Sequence, residues 1–346
     1  MQPIDHDKII RTAWSEYDDS MHIAGIEDVS AKVSTNHVFR VSFAERKPVF
    51  AKLSYYGFYD HFREDHIIIN NLTNNLENPY ENFLARSLVK NNDVFIYRYK
   101  ENCVDAWVIF YNPIHIRQKM PRRLDEKMIA KMGEQLALFH KACMNVRRTL
   151  PLSSKTLPLD IGVLRRLLET GKRKELQDHK DFVLDQCDKF MTNIETLNFK
   201  SFSRIPVFVD WNIGNYSVSS NYGFYSRWDY DWFRVSSRML DFYFFSRVSS
   251  DIGDRTVFSY WADTLMEDRF IIFLKAYHHV FPLTRNEVLF LKEAYRFFIL
   301  NYVLKDGRYF FHDVYAQKLQ HEAFEIYLPT LDQKFDGNRL LDALEL

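Results

Sequence analysis

The sequence predicts an α+β protein built from two lobes. Two pairs of β-strands are expected before residue 112, whereas stretches with helical periodicity dominate after Pro113. We therefore place a lobe boundary at 112–114. The boundary divides the 346 residues into an N-terminal lobe of residues 1–112 and a C-terminal lobe of residues 113–346.

The N-terminal lobe is expected to contain a small antiparallel sheet and a helix between its strand pairs. Ile9, Ile10 and Trp14 lie near helical spacing, and Asp5 is suited to cap a helix that contains them. The apolar residues of 60–76 recur at spacings of 7, 3 and 4, which fits one helical face. The expected elements are a helix over 5–16, a hairpin of strands 37–43 and 49–54, a helix over 60–76, and strands over 94–99 and 106–111.

The C-terminal lobe is expected to be mainly helical. Its clearest signal lies in residues 124–143, where apolar residues recur at spacings of 3, 4, 3 and 4 from Ile129 to Cys143. Helical patterns also occur within 160–198, over 256–281 and over 284–304.

Composition excludes several classes of protein. The 46 basic and 46 acidic residues balance, which argues against a dedicated nucleic-acid binder. No apolar run approaches about 18 residues, and the N-terminus lacks the apolar core of a signal peptide. The three cysteines form no C-x-x-C pair, so no disulfide framework or cysteine zinc site is expected. We therefore expect a cytoplasmic globular protein with no nucleic-acid or membrane partner.

One short segment brings together the side chains that phosphoryl transfer requires. The apolar residues 207–209 lead into Asp210, and Asn215 follows five residues later. A hairpin over 216–228 then ends on Asp229. In phosphoryl transfer, one Asp orients and deprotonates the attacking hydroxyl, while an Asn and a second Asp hold Mg²⁺ against the phosphates. By contrast, the sequence contains no G-x-x-x-x-G-K-[ST], G-x-G-x-x-G, H-E-x-x-H or G-x-S-x-G motif.

Five features in the correct order resemble the aminoglycoside phosphotransferase and choline kinase-like superfamily. The stretch DWNIGN at 210–215 matches the D-x-x-x-x-N loop of the family, and WDY at 228–230 resembles its I-D-[FW] metal motif. Asp241 is similar to the aspartate of its Y-D-L-A motif, and MGEQLALFHKA at 132–142 resembles its helix ending in Leu-His. Lys52 lies on the strand where the family carries its nucleotide-binding lysine.

This resemblance implies a bilobal protein-kinase-like fold and a small-molecule kinase that uses ATP and Mg²⁺. Asp210 would be the catalytic base, and Asn215 and Asp229 would bind Mg²⁺. Asp231, two residues beyond Asp229, remains an alternative metal ligand because alternate residues of a strand face the same way. The second substrate would be a small molecule that carries a hydroxyl group.

The resemblance also implies a set of nucleotide-binding residues in the N-terminal lobe. Lys52 would contact the α- and β-phosphates, and an acid on the 60–76 helix would pair with it. Glu64 is the first choice for that acid, with Asp65 as the alternative.

Two further nucleotide contacts are expected at the phosphate loop and the hinge. The loop before Lys52 contains no glycine, so Ser34 and Asn36 would serve in its place. Tyr111, within residues 110–113, would belong to the hinge over which the adenine lies.

Departures from the family pattern keep a second hypothesis open. Phe208 and Val209 stand where the family has His-Gly, and the phosphate loop lacks glycine. These departures favour a pseudokinase or nucleotide-binding scaffold, whereas the presence of every charged group favours the enzyme.

The sequence leaves the acceptor open among three classes. Aminoglycosides would favour an acidic pocket, for which Asp251, Asp254, Asp263 and Glu267 are candidates. A choline-like ammonium would favour the aromatic residues around 228–245, whereas homoserine or a sugar would need neither feature.

Overall fold

A computed structural model of the chain describes residues 4–31, 34–55, 57–101, 104–251 and 259–346. Some predicted features lie partly or wholly outside these residues. They are part of the loop before His37, the middle of the turn over 100–105, the start of the 256–281 helix, and Asp254.

A five-stranded antiparallel sheet dominates the first third of the chain. The strands of this region are β1 (Ile23–Asp28), β2 (His37–Phe43), β3 (Val49–Ser54), β4 (Val89–Lys90), β5 (Asp93–Val94), β6 (Ile96–Glu101) and β7 (Val104–Tyr111). The sheet has the spatial order β1-β2-β3-β7-β6, and β4 and β5 form a separate ribbon.

The alternation of side chains along β3 explains why Lys52 points into the molecule. Val49, Ala51 and Leu53 pack with helix α1 (His6–Tyr17), which covers one face of the sheet. Because successive residues of a strand face opposite sides, Lys52 emerges on the other face. That face is covered by helix α2 (Tyr59–Asn75) and the C-terminal part of the chain.

The C-terminal part is largely helical. Its helices are α3 (Glu126–Val146), α4 (Leu157–Glu169), α5 (Lys180–Thr196), α6 (Phe242–Ser249), α7 (Asp268–Val280), α8 (Arg285–Phe298), α9 (Gly307–Phe310), α10 (Asp313–Glu322), α11 (Leu328–Lys334) and α12 (Gly337–Leu344). The segments Ile299–Lys305 and Ala323–Tyr327 are π-helical.

Helices α3 and α7 approach each other closely at Gly133. A Cβ atom at Gly133 of α3 would lie 2.4 Å from the carbonyl oxygen of Phe273 on α7. Only glycine therefore allows the two backbones to approach so closely. Asp125 caps α3 by accepting a hydrogen bond from the Met128 backbone N–H at 2.8 Å.

Two short antiparallel hairpins support the candidate site. Strand β8 (Arg204–Val207) pairs with β11 (Arg234–Ser237), and β9 (Tyr216–Val218) pairs with β10 (Phe224–Arg227). The loop between β8 and β9 carries Asp210 and Asn215, and the link from β10 to β11 carries Asp229.

The predicted α+β class and most predicted elements are confirmed. The exceptions are informative: β1 was not predicted, since Gly25 and acidic residues interrupt its apolar pattern. The helix expected over 284–304 is α-helical only to Phe298 and continues as a π-helix. The helix expected over 256–281 is α-helical only from Asp268, and a 3₁₀ helix over Ala262–Met266 precedes it. Within the described residues, no helix is long and apolar enough to cross a membrane. The division at 112–114 stays a prediction.

Candidate active site

The loop that carries Asp210 is held by a buried carboxylate. Asp241 Oδ1 accepts hydrogen bonds from the backbone N–H groups of Phe208 at 2.9 Å and Val209 at 2.6 Å. His140 Nε2 donates to the other oxygen of Asp241 at 3.0 Å, and Tyr277 contacts His140 Nδ1 at 2.8 Å. Burial lowers the pKa of His140, so the ring is neutral and Tyr277 donates to its Nδ1. Asp241 and His140 therefore hold the backbone before Asp210 from within the core.

Val209 adopts a backbone conformation that suits glycine. Its φ angle is 61°, in the left-handed region that a β-branched residue strongly disfavours. The family that the sequence resembles has glycine at this position, and glycine adopts such φ angles without strain. Here the conformation is held by the bonds from Asp241 to Phe208 and Val209. A costly backbone geometry is therefore kept next to Asp210 without glycine.

Arg227 supports the same loop from beneath. Its Nη2 donates to the backbone carbonyl of Asp210 at 2.8 Å. Its guanidinium lies 4.6 Å from the ring centre of Phe208 and 4.2 Å from that of Trp211. The side chain is fully buried, and its Nε and Nη1 have no hydrogen-bond partner among the described residues. Burial lowers the pKa of Arg227, although the charge of Asp210 opposes this shift.

Three of the residues expected in catalysis and metal binding line a single cavity of about 260 Å³. They are Asp210, Asn215 and Asp229, and the expected phosphate-loop residue Ser34 lines the same cavity. Asp210 Oδ1 accepts a hydrogen bond from the Asn212 backbone N–H at 3.1 Å, which orients the carboxylate within its loop. The side chains of Asn215 and Asp229 supply the oxygen types that Mg²⁺ prefers in proteins.

Lys52 is paired with both candidate metal carboxylates. Its Nζ lies 3.0 Å from Asp229 Oδ1 and also contacts Asp231 Oδ1. Burial disfavours the ammonium, but the two carboxylates outweigh it and raise the pKa of Lys52. Partial burial also opposes ionisation of Asp229, yet the Lys52 charge lowers the pKa of this carboxyl. For Asp231, burial and the neighbouring Asp229 charge raise the pKa.

The expected Lys52–Glu64 pair is wrong, and so is its alternative with Asp65. Glu64 accepts hydrogen bonds from the Ser153 hydroxyl at 2.9 Å and the Ser154 backbone N–H at 2.8 Å. Asp65 pairs with Lys155 at 2.5 Å. The helical pattern identified α2 correctly, but it could not say which acid faces the sheet, because long-range partners decide that.

Asn36 binds two neighbouring side chains, and the Tyr111 hydroxyl points toward helix α2. Asn36 donates to Asp231 at 2.7 Å and accepts from the Ser54 hydroxyl at 2.9 Å. The Tyr111 hydroxyl contacts His66 Nε2 at 2.6 Å, on the helix α2 side. Any adenine contact at this position would therefore come from the backbone of Tyr111 rather than from an open side chain.

The loop around Ser34 is also docked on the C-terminal part. The Thr35 backbone N–H donates to the Phe310 carbonyl at 3.2 Å, and its hydroxyl donates to the Tyr309 carbonyl. Ser34 forms a β-bridge with Phe311. Phe310 and Phe311 also line the 260 Å³ cavity, so the C-terminal segment forms one of its walls.

Sequence reasoning missed several residues around this cavity. Arg227 carries one usable signal, since it is a charged residue in an otherwise apolar and small-residue hairpin strand. Arg247, which also lines the cavity, lies in the aromatic helix α6 and gave no motif. Two of the acids considered for an aminoglycoside pocket lie outside the cavity lining: Asp251 pairs with Arg123, and Asp263 pairs with Lys334.

Comparisons with known proteins give a consistent architecture. No family model and no curated protein matches the chain. Among solved structures, amicoumacin kinase in complex with AMP-PNP and Ca²⁺ aligns with a TM-score of 0.63 at 12% identity, covering 97% of both chains. A microcompartment-associated aminopropanol kinase aligns with a TM-score of 0.59 at 13% identity, covering 96% of this chain and 99% of that one.

A third similar structure is the gentamicin complex of APH(2″)-IIa. It aligns with a TM-score of 0.56 at 14% identity, covering 97% of this chain and all of that chain. At these identities the likeness concerns the fold, which extends over nearly the whole length of each pair. The chain therefore has the bilobal protein-kinase-like fold of the aminoglycoside phosphotransferases and related small-molecule kinases.

Proposed function

We propose that the protein is an ATP-dependent phosphotransferase that moves the γ-phosphoryl group of ATP to a hydroxyl of a small molecule. The observation that carries the proposal is the joint placement of Asp210, Asn215 and Asp229 around one cavity, with Lys52 paired to Asp229. Phosphoryl transfer needs a base, metal ligands and a cation for the phosphates within reach of one another. The small-molecule kinases with the same fold add support.

In this proposal Asp210 orients the acceptor hydroxyl and accepts its proton. The hydroxyl oxygen forms a bond to the γ-phosphorus, the bond from that phosphorus to the bridging oxygen breaks, and ADP leaves with the bond's electron pair. Arg227 and Asp241 fix the backbone on which Asp210 stands. Lys52 would exchange part of its pairing with Asp229 and Asp231 for contacts with the phosphates.

The residues present fit a divalent cation that arrives with the nucleotide. Asn215 and Asp229 would hold it, and the side chain of Asp229 is 40% exposed. Among the described residues, no group of three or more His, Cys, Asp or Glu side chains is placed to bind a metal. Such a site would take its remaining ligands from phosphate oxygens and water. When bound, Mg²⁺ neutralises charge that develops on the phosphates.

A nucleotide-binding scaffold is the second candidate, and one observation favours it. Lys52 is fully engaged by Asp229 and Asp231, and Asn36 adds a further bond to Asp231. A protein that keeps these bonds with ATP present would bind the nucleotide without productive contacts to its phosphates.

Two measurements separate these candidates. A thermal-shift titration with ATP and Mg²⁺ tests nucleotide binding, because a ligand that binds only the folded state stabilises it. ATP consumption with a panel of hydroxyl compounds then tests turnover. For the enzyme we expect both signals, and Lys52→Ala should weaken both. Binding with no turnover on any acceptor would favour the scaffold, and absence of binding would contradict both. The cytoplasmic location stays a prediction.

A further inference from the structure

The two acids of helix α2 that were expected to reach Lys52 are bound to other partners. Glu64 accepts hydrogen bonds from a hydroxyl and a backbone N–H of residues 153–154, at 2.9 and 2.8 Å. Asp65 pairs with the ammonium of Lys155 at 2.5 Å. The Asp65 side chain is buried, so loss of this partner would leave a buried charge unpaired, which is costly. Lys52 therefore takes its counter-ion from outside α2.

Asp231 uses both of its carboxylate oxygens within the protein. Its Oδ1 contacts Lys52 Nζ, and its Oδ2 accepts a hydrogen bond from Asn36 Nδ2 at 2.7 Å. The Oδ1 atom of Asn36 in turn accepts from the Ser54 hydroxyl at 2.9 Å. Lys52 and Ser54 lie two residues apart on β3, so their side chains leave the same face of the strand. Together with β3, the four side chains form a closed ring that fixes the Asp231 carboxylate beside Lys52.

Asp229 differs from Asp231 in its exposure and in its bonding. Its side chain is 40% exposed, against 19% for Asp231. Within the described part of the chain, its hydrogen bonds all use Oδ1, which accepts from Lys52 at 3.0 Å and from the Asp231 backbone N–H at 3.4 Å. The second oxygen of Asp229 is thus left for a cation, whereas both oxygens of Asp231 are occupied.

The charges explain why a second carboxylate is required beside Lys52. A divalent cation held by Asp229 would stand close to the Lys52 ammonium, and like charges at short range repel each other. A carboxylate that stays with Lys52 offsets this repulsion. Lys52 can then leave Asp229 for a phosphate without losing its last counter-ion.

We infer that Asp231 is the positioning residue for Lys52, in the role that an acid of helix α2 was expected to take. On binding of ATP and Mg²⁺, Lys52 releases Asp229 to the metal, keeps Asp231 and contacts the phosphates. Asn36 holds the Asp231 carboxylate in this role, and α2 supplies no charge to the nucleotide site. This inference rests on the proposed function.

The test measures how much Lys52 contributes to ATP binding in different backgrounds of the full chain. ATP with Mg²⁺ is titrated by isothermal calorimetry into each protein with and without Lys52→Met. In the parent, this substitution should weaken binding about tenfold, because a charge-assisted hydrogen bond to phosphate is lost. In an Asp231→Asn background the loss should shrink to less than about threefold, because Lys52 is no longer held toward the phosphates. A loss as large as in the parent, or larger, would overturn the inference.

Helix α2 provides the matched controls. Glu64→Gln and Asp65→Asn should each leave the loss caused by Lys52→Met as large as in the parent. Asp60→Asn, at an exposed position of the same helix, should do so as well. A loss that shrinks in Glu64→Gln or Asp65→Asn as much as in Asp231→Asn would return the role to α2 and contradict the inference.

Asn36→Leu tests the same inference with the charge of Asp231 unchanged. It removes the second bond of Asp231, so the loss caused by Lys52→Met should again shrink. Circular dichroism checks the folding of every variant, and this background decides the question if Asp231→Asn does not fold. An unchanged loss in a folded Asn36→Leu protein would count against the inference.

The dependence on Mg²⁺ distinguishes a positioning residue from a metal ligand. In Asp231→Asn, the Mg²⁺ concentration needed for half-maximal ATP binding should stay within about twofold of the parent, whereas Asp229→Asn should raise it. An equal rise in both variants would make Asp231 a metal ligand and overturn the inference.

The titrations also separate this inference from the proposed function. If Lys52→Met does not weaken ATP binding in the parent, the assignment of Lys52 in the proposed function fails, and the role of Asp231 fails with it. If Lys52→Met weakens binding equally in the parent and in Asp231→Asn, only the inference about Asp231 fails.

Discussion

The loop around Asp210 and the surroundings of Lys52 are held together in different ways. Around Asp210, buried side chains bond to the backbone: Asp241 binds two N–H groups, and Arg227 binds a carbonyl. Around Lys52, side chains pair with side chains, and Asp229 and Asp231 share one ammonium. Backbone contacts fix a shape whatever the local side chains are, whereas ion pairs can be exchanged for a ligand. We therefore expect chemistry to depend on the first region and ligand binding on the second.

The largest loss of activity is expected from a substitution of Asp210 itself. Asp210→Asn should reduce phosphoryl transfer by about 10²–10⁴-fold, because the amide keeps the shape but cannot accept the proton. ATP affinity should stay nearly unchanged, since Asp210 faces the acceptor in the proposed mechanism. The measurement is single-turnover transfer on a confirmed acceptor, together with an ATP binding titration. Full activity of this variant would show that Asp210 is not the catalytic base.

Substitutions of the proposed metal ligands test the surroundings of Lys52. Asp229→Asn should lower turnover by about 10²-fold and raise the Mg²⁺ concentration needed for half-maximal rate, because a charged ligand is lost. Asp231→Asn is the matched control at the alternative position, and its effect should stay within about tenfold. Turnover is measured over a range of Mg²⁺ concentrations. A reversed order of the two effects would make Asp231 the metal ligand.

Substitutions of Arg227 distinguish a role in positioning Asp210 from a role in folding. Arg227→Met should lower kcat by about tenfold with little change in KM for ATP, because the Asp210 carbonyl loses its donor and the loop shifts slightly. Thermal stability should hold or rise, since two guanidinium nitrogens of this buried cation have no partner among the described residues. Arg227→Lys, which keeps a donor, should restore part of kcat. A large loss of stability with unchanged kcat would make Arg227 a purely structural residue.

The two regions also differ in how far the sequence could predict them. The Asp210 loop was predictable because its residues are close in sequence and the β8 and β10 strands deliver them to one place. The partner of Lys52 was not predictable in the same way. Glu64 and Asp65 are adjacent on α2, and each is taken by a partner about 90 residues away.

The absence of glycine at position 209 shows a further limit of predicting structure from sequence motifs. Val209 takes the left-handed conformation that glycine favours, and only the contacts of Asp241 reveal how this conformation is held. The sequence departs from the pattern of the family it resembles, while the backbone at Val209 keeps a conformation that glycine favours. A second cavity of about 390 Å³ was beyond prediction, since it unites α2, α4 and the π-helical segment Ile299–Lys305 from distant parts of the chain.

The smallest expected effect concerns stability and pH, and it contrasts two histidines. His66 Nδ1 donates to the Phe62 carbonyl at 2.8 Å, so the neutral ring accepts from the Tyr111 hydroxyl through Nε2. Burial lowers the pKa of His66 to about 3, from an ordinary value of 6.5. The unfolded chain therefore binds a proton at this residue below pH 6.5 that the folded chain refuses. Acidification from pH 7 to 5 should cost about 2 kcal/mol of folding free energy through His66.

Replacing His66 isolates this contribution. In His66→Gln, the decrease in unfolding free energy between pH 7 and 5 should be smaller than in the parent protein by that amount. His22→Gln, at an exposed position, provides the control for the loss of a histidine side chain. The comparison between variants is needed because protonation of Asp65 changes the unfolding free energy in the opposite direction as pH falls. Its raised pKa means that the folded state gains a proton first as pH falls. Urea titrations at both pH values measure the difference. An identical change in unfolding free energy for His66→Gln and the parent between pH 7 and 5 would show that His66 is protonated in the folded protein.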